Sequence, residues 1–407
     1  MVSKLKNIFL FLLVFNLHSE NLVEEGKTVE SDQSMVVTRH HLASRAGNEI
    51  LMKGGNAVDA SIAISFALSV VLPQASPIGG GGFMIIHDAE TGKNYALDYR
   101  EMAPEASTED MFIVDGEVDR KLALESYLSS GVPGTVYGLY IAHQKFGSLP
   151  WKELIKPAIS LAENGFQVTT TLANSLDKET NRRKLGKTPD GKKIFFQNNE
   201  PLKEGMLLVQ KDLAQTLKLV SNFGPAGFYK GVVAQKIHAD MKNNNGLITL
   251  KDLKGYKAKF REPIEFTYKD IKIVTMPPPS SGGLLLGLMF NMIENIELDK
   301  TKPHTAENIL KISEIMQIAY SLRSIHLADP DYYPVPKNAF LDKNIAKELL
   351  LKVNDSKTSS AEHFDPQNLK IKENTTHYSV VDKHGNAVSN TTTLNTAYGS
   401  GVVIKGT

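Results

Sequence analysis

The chain contains no cysteine among its 407 residues. This absence excludes disulfide bonds, thiol nucleophiles, a lipoprotein anchor and zinc sites with thiolate ligands. The chain also lacks an excess of charge of either sign, because 46 basic and 45 acidic residues give a formal net charge of +1. No strong electrostatic field attracts it to nucleic acid or to an anionic membrane, so we expect neither as a partner.

The apolar run at the N-terminus is too short to cross a membrane. It covers residues 8–17, whereas a transmembrane helix needs about 20 apolar residues. Lys4 and Lys6 precede the run and a polar stretch follows it, which is the layout of a secretory signal peptide. We therefore predict a signal peptide over residues 1–20, a periplasmic or secreted location and no stable membrane span. A buried N-terminal helix is the alternative.

The remaining composition, 42% hydrophobic and 22% charged, is typical of a globular protein with a sizeable core. A helix is predicted over residues 41–53, ending at Gly54 and Gly55. Asn56 and Asp59 form a capping-box pattern before a second helix over 57–72, whose apolar residues on all sides predict burial. Further helices are predicted near 210–221, 231–242, 284–293 and 305–327, and strands at 83–86, 95–100, 262–267 and 271–275. Residues 172–205 are polar and give no clear pattern.

Four consecutive glycines occupy positions 79–82 between a proline-rich loop and an apolar strand. A phosphate-binding loop would require a following Lys-Ser or Lys-Thr, and none is present. Close packing of backbone against backbone is the better explanation for these glycines.

Two strands near the C-terminus are predicted to form a hairpin. Residues 377–381 alternate in polarity, a turn over 382–386 follows, and residues 387–395 form the return strand. A three-residue loop with Gly385 in the left-handed region is a common solution for such a turn. This register pairs Asp382 with Asn386 and therefore Thr375 with Thr393, with Asn395 just beyond. A two-residue loop would shift the pairing by one position, so the prediction is that Thr375 and Thr393 lie close together.

Thr375 opens this hairpin after a polar segment, residues 354–374, whose composition predicts an exposed, poorly ordered linker. A threonine hydroxyl needs a base to become a good nucleophile. If the backbone were cut before Thr375, the freed α-amine, with a pKa of about 7.7–8.0, could act as that base. Threonine also favours strands for structural reasons, so the pair Thr375-Thr376 alone leaves both explanations open.

Five segments, in the same order, resemble the γ-glutamyltranspeptidase family. They are PQASPIGGGGFMII (73–86), ALDYREMAP (96–104), SSGVPGTVYGL (129–139), PPPSSGG (277–283) and TTHYSVVDKHGNAVSNTTTLNTAYGSG (375–401). The similarity covers nearly the whole chain after residue 20, and the last segment looks like the start of that family's small subunit.

The resemblance implies an α+β fold, the αββα four-layer sandwich of the N-terminal-nucleophile hydrolases. It also implies a precursor that cuts itself between Asn374 and Thr375. Residues 21–374 would form the large-subunit region and 375–407 the start of the small subunit, its partner after cleavage. The mature enzyme would transfer the γ-glutamyl group of glutathione and related amides to water or to an amino-acid or peptide acceptor. No cofactor is implied, and the histidines show no metal-ligand spacing.

The resemblance also assigns roles to individual residues. Thr375 matches the nucleophile and Thr393 the threonine that helps to activate it. Arg100 matches the arginine that binds the substrate α-carboxylate, although a surface ion pair with Glu101 or Glu105 would be an ordinary alternative. Asn395 matches a substrate-contacting asparagine.

Two further positions have less definite roles. Thr391 is a candidate for supporting the autocleavage step or for a structural place in the strand. His377 is expected to be a packed or hydrogen-bonding strand residue rather than a base.

The family's small subunit continues well beyond position 407 and there carries the acidic residue that holds the substrate α-amine and the amides that stabilise the oxyanion. The small-subunit part of the fold is therefore expected to be incomplete in this chain. Two functions remain open on this ground. One is a γ-glutamyltransferase precursor, and the other is a truncated, catalytically inactive relative that acts as a binding or scaffold protein.

Overall fold

The computed structural model describes residues 29–298, 301–353 and 373–407, and for Glu373 and Asn374 the backbone only. The chain divides into two compact units, Met1–Asp32 and Gln33–Thr407. In the first unit only residues 29–32 are described, and they lie outside helices and strands. The predicted signal peptide and most of the predicted linker, up to residue 372, lie outside the described residues.

The second unit contains both helices and strands. The strands are β1 Met35–Val37, β2 Gly81–Asp88, β3 Lys93–Asp98, β4 Ile113–Val114, β5 Glu117–Val118, β6 Phe166–Gln167, β7 Phe196–Gln197, β8 Glu200–Pro201, β9 Leu207–Leu208, β10 Lys259–Arg261, β11 Ile264–Tyr268, β12 Ile271–Thr275, β13 Glu373–Val381 and β14 Ala387–Thr396. The helices are α1 His41–Met52, α2 Ala57–Val71, α3 Arg120–Glu125, α4 Thr135–Phe146, α5 Trp151–Asn164, α6 Thr170–Leu176, α7 Glu179–Leu185, α8 Pro189–Phe195, α9 Lys211–Phe223, α10 Ala226–Tyr229, α11 Gly231–Asn243, α12 Leu250–Gly255, α13 Gly282–Ile293, α14 Ala306–His326, α15 Lys337–Leu341 and α16 Lys343–Leu350.

A six-stranded antiparallel sheet, in the order β1-β13-β14-β2-β3-β10, forms the centre of the molecule. The hairpin of residues 81–98 and the C-terminal hairpin are adjacent in it, through the pairing of β14 with β2. The other sheets of the described residues have two strands each. The described part of the chain therefore holds one large sheet of the expected four-layer sandwich, and the α+β prediction is confirmed.

Helix α2 covers one face of the central sheet. All of its 15 residues are buried, and the predicted capping box between Asn56 and Asp59 is present. The Tyr378 hydroxyl of β13 donates to the Ser61 carbonyl at 2.9 Å, and the N–H of Ala57 donates to an Asp382 carboxylate oxygen at 2.9 Å. These bonds attach the C-terminal hairpin to the helix, so the predicted burial of this helix is confirmed.

The predicted register of the C-terminal hairpin is also confirmed. Val381 pairs with Ala387 and Thr375 pairs with Thr393. Gly385 has a φ of 87°, in the left-handed region. Strand β13 begins at Glu373, two residues before the predicted start, and its register shifts between Glu373 and Thr375.

A second apolar cluster lies beside the main core. It contains Ile264 of β11, several leucines of α13 and residues of α14 and α16, among them Ile315 and Ala346. Residues 172–205, which gave no pattern in the sequence, form three short helices and a two-stranded hairpin. No helix in the described part of the chain is both long and apolar enough to cross a membrane.

Candidate active site

Thr375 and Thr393 meet on the face of the central sheet opposite α2. Their side-chain oxygens lie 3.0 Å apart. Thr375 is exposed, whereas Thr393 is only 7% exposed. Because side chains alternate along a strand, the neighbouring Thr376 points to the helix side, where it is 2% exposed. The two threonines of the pair therefore occupy different environments, and only Thr375 is accessible.

The backbone beyond Thr393 orients its hydroxyl. The N–H of Asn395 donates to the Thr393 Oγ1 at 2.8 Å. Asn395 has a φ of 72°, a left-handed conformation that asparagine tolerates better than most residues. An oxygen that accepts this bond can direct its own proton toward the Thr375 oxygen. The exposed side chain of Asn395 lies at the end of the same strand.

The backbone just before Thr375 departs from the regular ladder. Glu373 pairs with Thr396, but Thr375 pairs with Thr393, so the register shifts between Glu373 and Thr375, with the one extra residue on the β14 side, at Leu394 and Asn395. A bulge of this kind re-aims the chain and is common beside active sites. The irregularity thus lies directly beside Thr375, and Asn395, with its left-handed φ of 72°, belongs to it.

The glycines at 80–82 allow two strands to approach the site closely. A Cβ on Gly80 would lie 2.3 Å from the Thr393 carbonyl oxygen, and one on Gly82 would lie 2.3 Å from the Thr391 carbonyl oxygen. No side chain fits at these distances, so the prediction of close backbone packing is confirmed for these positions. Gly79 differs, because a Cβ there would meet nothing within 4 Å.

Arg100 lies on the same face as Thr375. Tyr99 and Gly82 exchange two backbone hydrogen bonds of 3.0 and 3.3 Å, which places Arg100 at the level of Gly81, the strand partner of Thr393. The row Thr375, Thr393, Gly81 and Arg100 thus crosses four strands, with Cα atoms of its ends about 14 Å apart. Arg100 is exposed, and its guanidinium carbon lies 5.8 Å from the centre of the Phe83 ring.

Alternation along the strand explains why Arg100 faces the site. The Tyr99 hydroxyl donates to Asn390 at 2.8 Å on the helix side, so the next side chain points to the opposite face. Glu105 forms an ion pair with Lys251 at 2.6 Å rather than with Arg100.

His377 forms hydrogen bonds within the sheet. Its Nδ1 lies 2.8 Å from the Thr391 hydroxyl and its Nε2 3.2 Å from the Ser389 hydroxyl. Burial lowers the pKa of the imidazole. The prediction that His377 is a hydrogen-bonding strand residue is confirmed. The Thr391 hydroxyl contacts this ring rather than Thr375, so its place is structural in this arrangement.

The sequence does not indicate Lys184 at the site, and it indicates Glu101 only as a surface ion-pair partner, not as a buried carboxyl group. Lys184 is 6% exposed, and its ammonium donates to the Gly399 carbonyl at 2.8 Å and to the Thr396 hydroxyl at 3.1 Å. Burial lowers its pKa. Glu101 lies against Gly81, and burial raises the pKa of its carboxyl. Lys184 belongs to the polar segment without a pattern, so no local signal could have linked it to the turn after Asn395.

A mostly apolar cavity of about 460 Å³ lies beside this region, lined in part by Gly79, Leu394 and Tyr398. Thr375, Thr393 and Arg100 do not line this cavity, so the candidate catalytic and substrate-binding side chains lie outside it. Among the described residues there is no cluster of three or more His, Cys, Asp or Glu side chains suited to a metal ion.

Comparisons with known proteins find similar sequences and structures over most of the chain. The family model described as gamma-glutamyltranspeptidase matches residues 43–407. The glutathione hydrolase proenzyme of Escherichia coli is 43% identical over 378 residues, covering 92% of this chain and 65% of the relative. The proenzyme of Bacillus subtilis strain 168 is 37% identical over 400 residues, covering 94% and 68% respectively. The chain thus spans about two thirds of the length of these relatives.

Two solved structures are similar over most of the chain. The Helicobacter pylori gamma-glutamyltranspeptidase has a TM-score of 0.80 and 40% identity, covering 85% of this chain and 99% of that one. The cephalosporin acylase of Bacillus halodurans has a TM-score of 0.84 and 26% identity, covering 97% and 72% respectively.

Proposed function

Because the chain belongs to the gamma-glutamyltranspeptidase family, we propose that it is the precursor of a γ-glutamyltransferase and glutathione hydrolase. The precursor cuts itself between Asn374 and Thr375. Residues 21–374 then form the large-subunit region, and the segment that starts at Thr375 remains bound to it as the small-subunit part. The observation that supports this most directly is the 3.0 Å contact between the hydroxyls of Thr375 and Thr393.

The fold is that of the N-terminal-nucleophile hydrolases, as the similarity to the two solved structures shows. The resemblance implies that the nucleophile becomes the first residue of its fragment after the cut. Thr375 lies near the start of β13, between β1 and β14. The position of Thr375 in the sheet is therefore compatible with a new N-terminus at this residue.

The cut begins with attack of the Thr375 Oγ1 on the carbonyl carbon of Asn374. Thr393, oriented by the Asn395 N–H, contributes a hydrogen bond to the attacking oxygen. The C–N bond then breaks, the nitrogen takes up a proton, and an ester joins Asn374 to the Thr375 oxygen. Water hydrolyses this ester and leaves a carboxylate on Asn374 and a free α-amine on Thr375.

The α-amine serves as the base for the transfer reaction. It takes the proton of the Thr375 hydroxyl as the oxygen attacks the γ-carbonyl of the substrate, and the leaving amine departs protonated. The resulting γ-glutamyl ester passes to water or to an amino-acid or peptide acceptor. The amine and the hydroxyl belong to one residue, so their relative position is set by covalent geometry.

Arg100 binds the α-carboxylate of the γ-glutamyl group, and Asn395 contacts the substrate from the other side of Thr393. A planar guanidinium suits a carboxylate because it can donate two parallel hydrogen bonds. Arg100 and Thr375 share one face of the sheet, so a substrate extended along the row can contact both. This common face favours an enzyme precursor over a binding or scaffold protein.

We also propose that the N-terminal residues direct export to the periplasm or beyond the cell. This proposal rests on Lys4, Lys6 and the short apolar run of residues 8–17. Mass spectrometry of the protein purified from a periplasmic fraction would detect removal of about 20 residues; recovery of the uncut N-terminus in the cytoplasm would contradict it.

Self-cleavage gives the decisive test. The purified chain is incubated and its fragments are sequenced from their N-termini, with Thr-Thr-His-Tyr as the expected new start. Release of aniline from a γ-glutamyl anilide is measured in parallel. Thr375→Ala abolishes both, whereas Thr376→Val, which changes the neighbouring threonine on the buried face, preserves both. No cut and no aniline release from the unmodified chain would refute the proposal.

A further inference from the structure

The backbone of Arg100 is held on both sides by buried side chains. Its N–H donates to the Asp98 Oδ1 at 3.0 Å, and its carbonyl oxygen accepts the Tyr256 hydroxyl at 2.8 Å. Asp98 is 8% exposed and Tyr256 is 3% exposed. Arg100 lies two residues beyond the end of β3, so these two contacts determine where its side chain begins.

The second oxygen of Asp98 is held by Arg261 of the neighbouring strand β10. The Arg261 Nε donates to the Asp98 Oδ2 at 2.8 Å. Lys259 pairs with Asp98 in the ladder, and the Arg261 side chain is 15% exposed. A carboxylate as buried as Asp98 needs such a partner, and rotation of Asp98 would break its bond to the Arg100 N–H.

Arg261 is oriented in turn by Asp331. Its two terminal nitrogens donate to the two Asp331 oxygens at 3.1 and 2.8 Å, and Lys259 adds a contact of 2.6 Å to the same carboxylate. All five N–H groups of a guanidinium lie in one plane. A guanidinium bound through both terminal nitrogens to one carboxylate can therefore present its Nε to another in a defined direction. The hydrogen bonds with Asp331 raise the pKa of Arg261, and those with Arg261 lower the pKa of Asp331.

Asp331 comes from a distant part of the chain, the segment between α14 and α15. This segment turns at Asp329, whose carboxylate accepts the Asp331 N–H at 3.0 Å. Helices α14 and α15 belong to the second apolar cluster. Exposed ion pairs ordinarily add little to stability. The pair of Arg261 with Asp331, however, is connected through Asp98 to the backbone N–H of Arg100 in the candidate active site.

We propose that Arg261 and Asp331 are positioning residues that act through Asp98 to hold Arg100 where it receives the substrate α-carboxylate. The inference rests on the proposed role of Arg100. It assigns to the segment after α14 an influence on substrate affinity. Asp331 contacts Arg261 rather than Arg100, so it acts on Arg100 only through Arg261 and Asp98.

Steady-state kinetics with a γ-glutamyl anilide test the inference. Asp331→Asn removes one charge and loosens Arg261, so we expect KM to rise about fivefold while kcat stays within about twofold. Asp331→Glu keeps the charge and restores most of the affinity. Lys343→Met, which removes an exposed ion pair with Glu294 beside the same apolar cluster, serves as the matched control and leaves KM unchanged.

Asp331→Asn in an Arg100→Ala background separates an effect on the position of Arg100 from an effect on the stability of the protein. If Asp331 acts through Arg100, Asp331→Asn changes KM by less than about twofold once Arg100 is gone. An equal rise in KM in both backgrounds, or no rise in the original one, would overturn the inference.

Binding of L-glutamate, measured by calorimetry on the Thr375→Ala variant, provides a readout without turnover. We expect Asp331→Asn to weaken this binding about fivefold. If Asp331→Asn weakens this binding while the chain with Thr375 intact releases no aniline, the proposed activity is refuted and the positioning role is retained. Unchanged binding would refute the positioning role alone, and absence of any L-glutamate binding would refute both.

Discussion

Replacing Thr393 by valine removes one hydroxyl and keeps the branched shape of the side chain. The substitution deletes the 3.0 Å contact with the Thr375 oxygen and leaves the Asn395 N–H without its 2.8 Å acceptor. Thr393 is 7% exposed and packs between β13 and β2, so valine fills the same space. The experiment therefore isolates the hydroxyl.

The effects of Thr393→Val on cleavage rate and on stability follow from the two hydrogen bonds that it removes, one with the Thr375 hydroxyl and one from the Asn395 N–H. A neutral hydrogen bond contributes about 0.5–1.5 kcal/mol, and an unpaired buried donor costs about 1–3 kcal/mol. Water can reach the partly exposed Asn395, so the second cost lies at the low end. If the bond to Thr375 strengthens by about 1.4 kcal/mol as its oxygen attacks Asn374, its loss raises the barrier by that amount and slows cleavage about tenfold. The free energy of unfolding falls by about 2 kcal/mol, from the lost bond and the unpaired donor together.

The assay follows conversion of the 44.8 kDa chain to its two fragments over time, by denaturing gel electrophoresis and mass spectrometry. Thr391→Val is the matched control. It removes a hydroxyl from the same strand and the same face, but one that contacts His377 at 2.8 Å. We expect this control to cleave within about twofold of the original rate. An unaltered rate in Thr393→Val, or equal slowing in both variants, would refute the assignment of Thr393.

Three further predictions concern other parts of the molecule. Arg100→Lys keeps the charge but loses the two-pronged geometry, so kcat/KM for a γ-glutamyl anilide falls about tenfold or more. A 4-aminobutyryl anilide, which lacks the α-carboxylate, shows no such loss. Equal losses for the two substrates would contradict carboxylate binding by Arg100. Gly82→Ala places a Cβ 2.3 Å from a carbonyl oxygen and lowers the free energy of unfolding by about 2 kcal/mol, whereas Gly79→Ala, with open space around it, leaves denaturant midpoints unchanged. His40 caps α1 as a neutral acceptor of the Leu42 N–H, and burial lowers its pKa from 6.5 to about 4. Because the unfolded chain binds this proton first, stability is full above pH 6.5 and falls by roughly 1–2 kcal/mol as the pH drops toward 4. His40→Asn retains a cap without titration, so its thermal unfolding should depend less on pH over this window; identical pH profiles would count against the assignment.

Local features of the site could be predicted because they depend on residues close together in the chain. The polarity alternation of the C-terminal hairpin and its three-residue loop with Gly385 set the register, and the register brought Thr375 opposite Thr393. The capping box of Asn56 and Asp59 and the apolar residues on every side of α2 predicted a buried helix. In each case turn geometry or helical periodicity acts within about 20 residues.

Segments without periodicity could not be assigned. Residues 172–205 form short helices α6 to α8, and their caps, such as Thr188, give signals too common to be specific. Each of these helices has only seven residues, so no repeated apolar face could develop. The polar character of Lys184 concealed that it is buried against the turn after Asn395.

The sequence by itself predicted Thr375 as the candidate nucleophile, and it determined the hairpin partner of Thr375 and the buried helix beneath them. Only the tertiary structure decided which distant segments surround that hairpin. Pairing of β14 with β2 places Arg100 in line with Thr375, and the contacts from Asp331 through Arg261 to Asp98 join segments more than 200 residues apart. The physical reason is that register within a hairpin follows from local geometry, whereas the pairing of remote strands depends on burying the apolar surface of the whole chain at once.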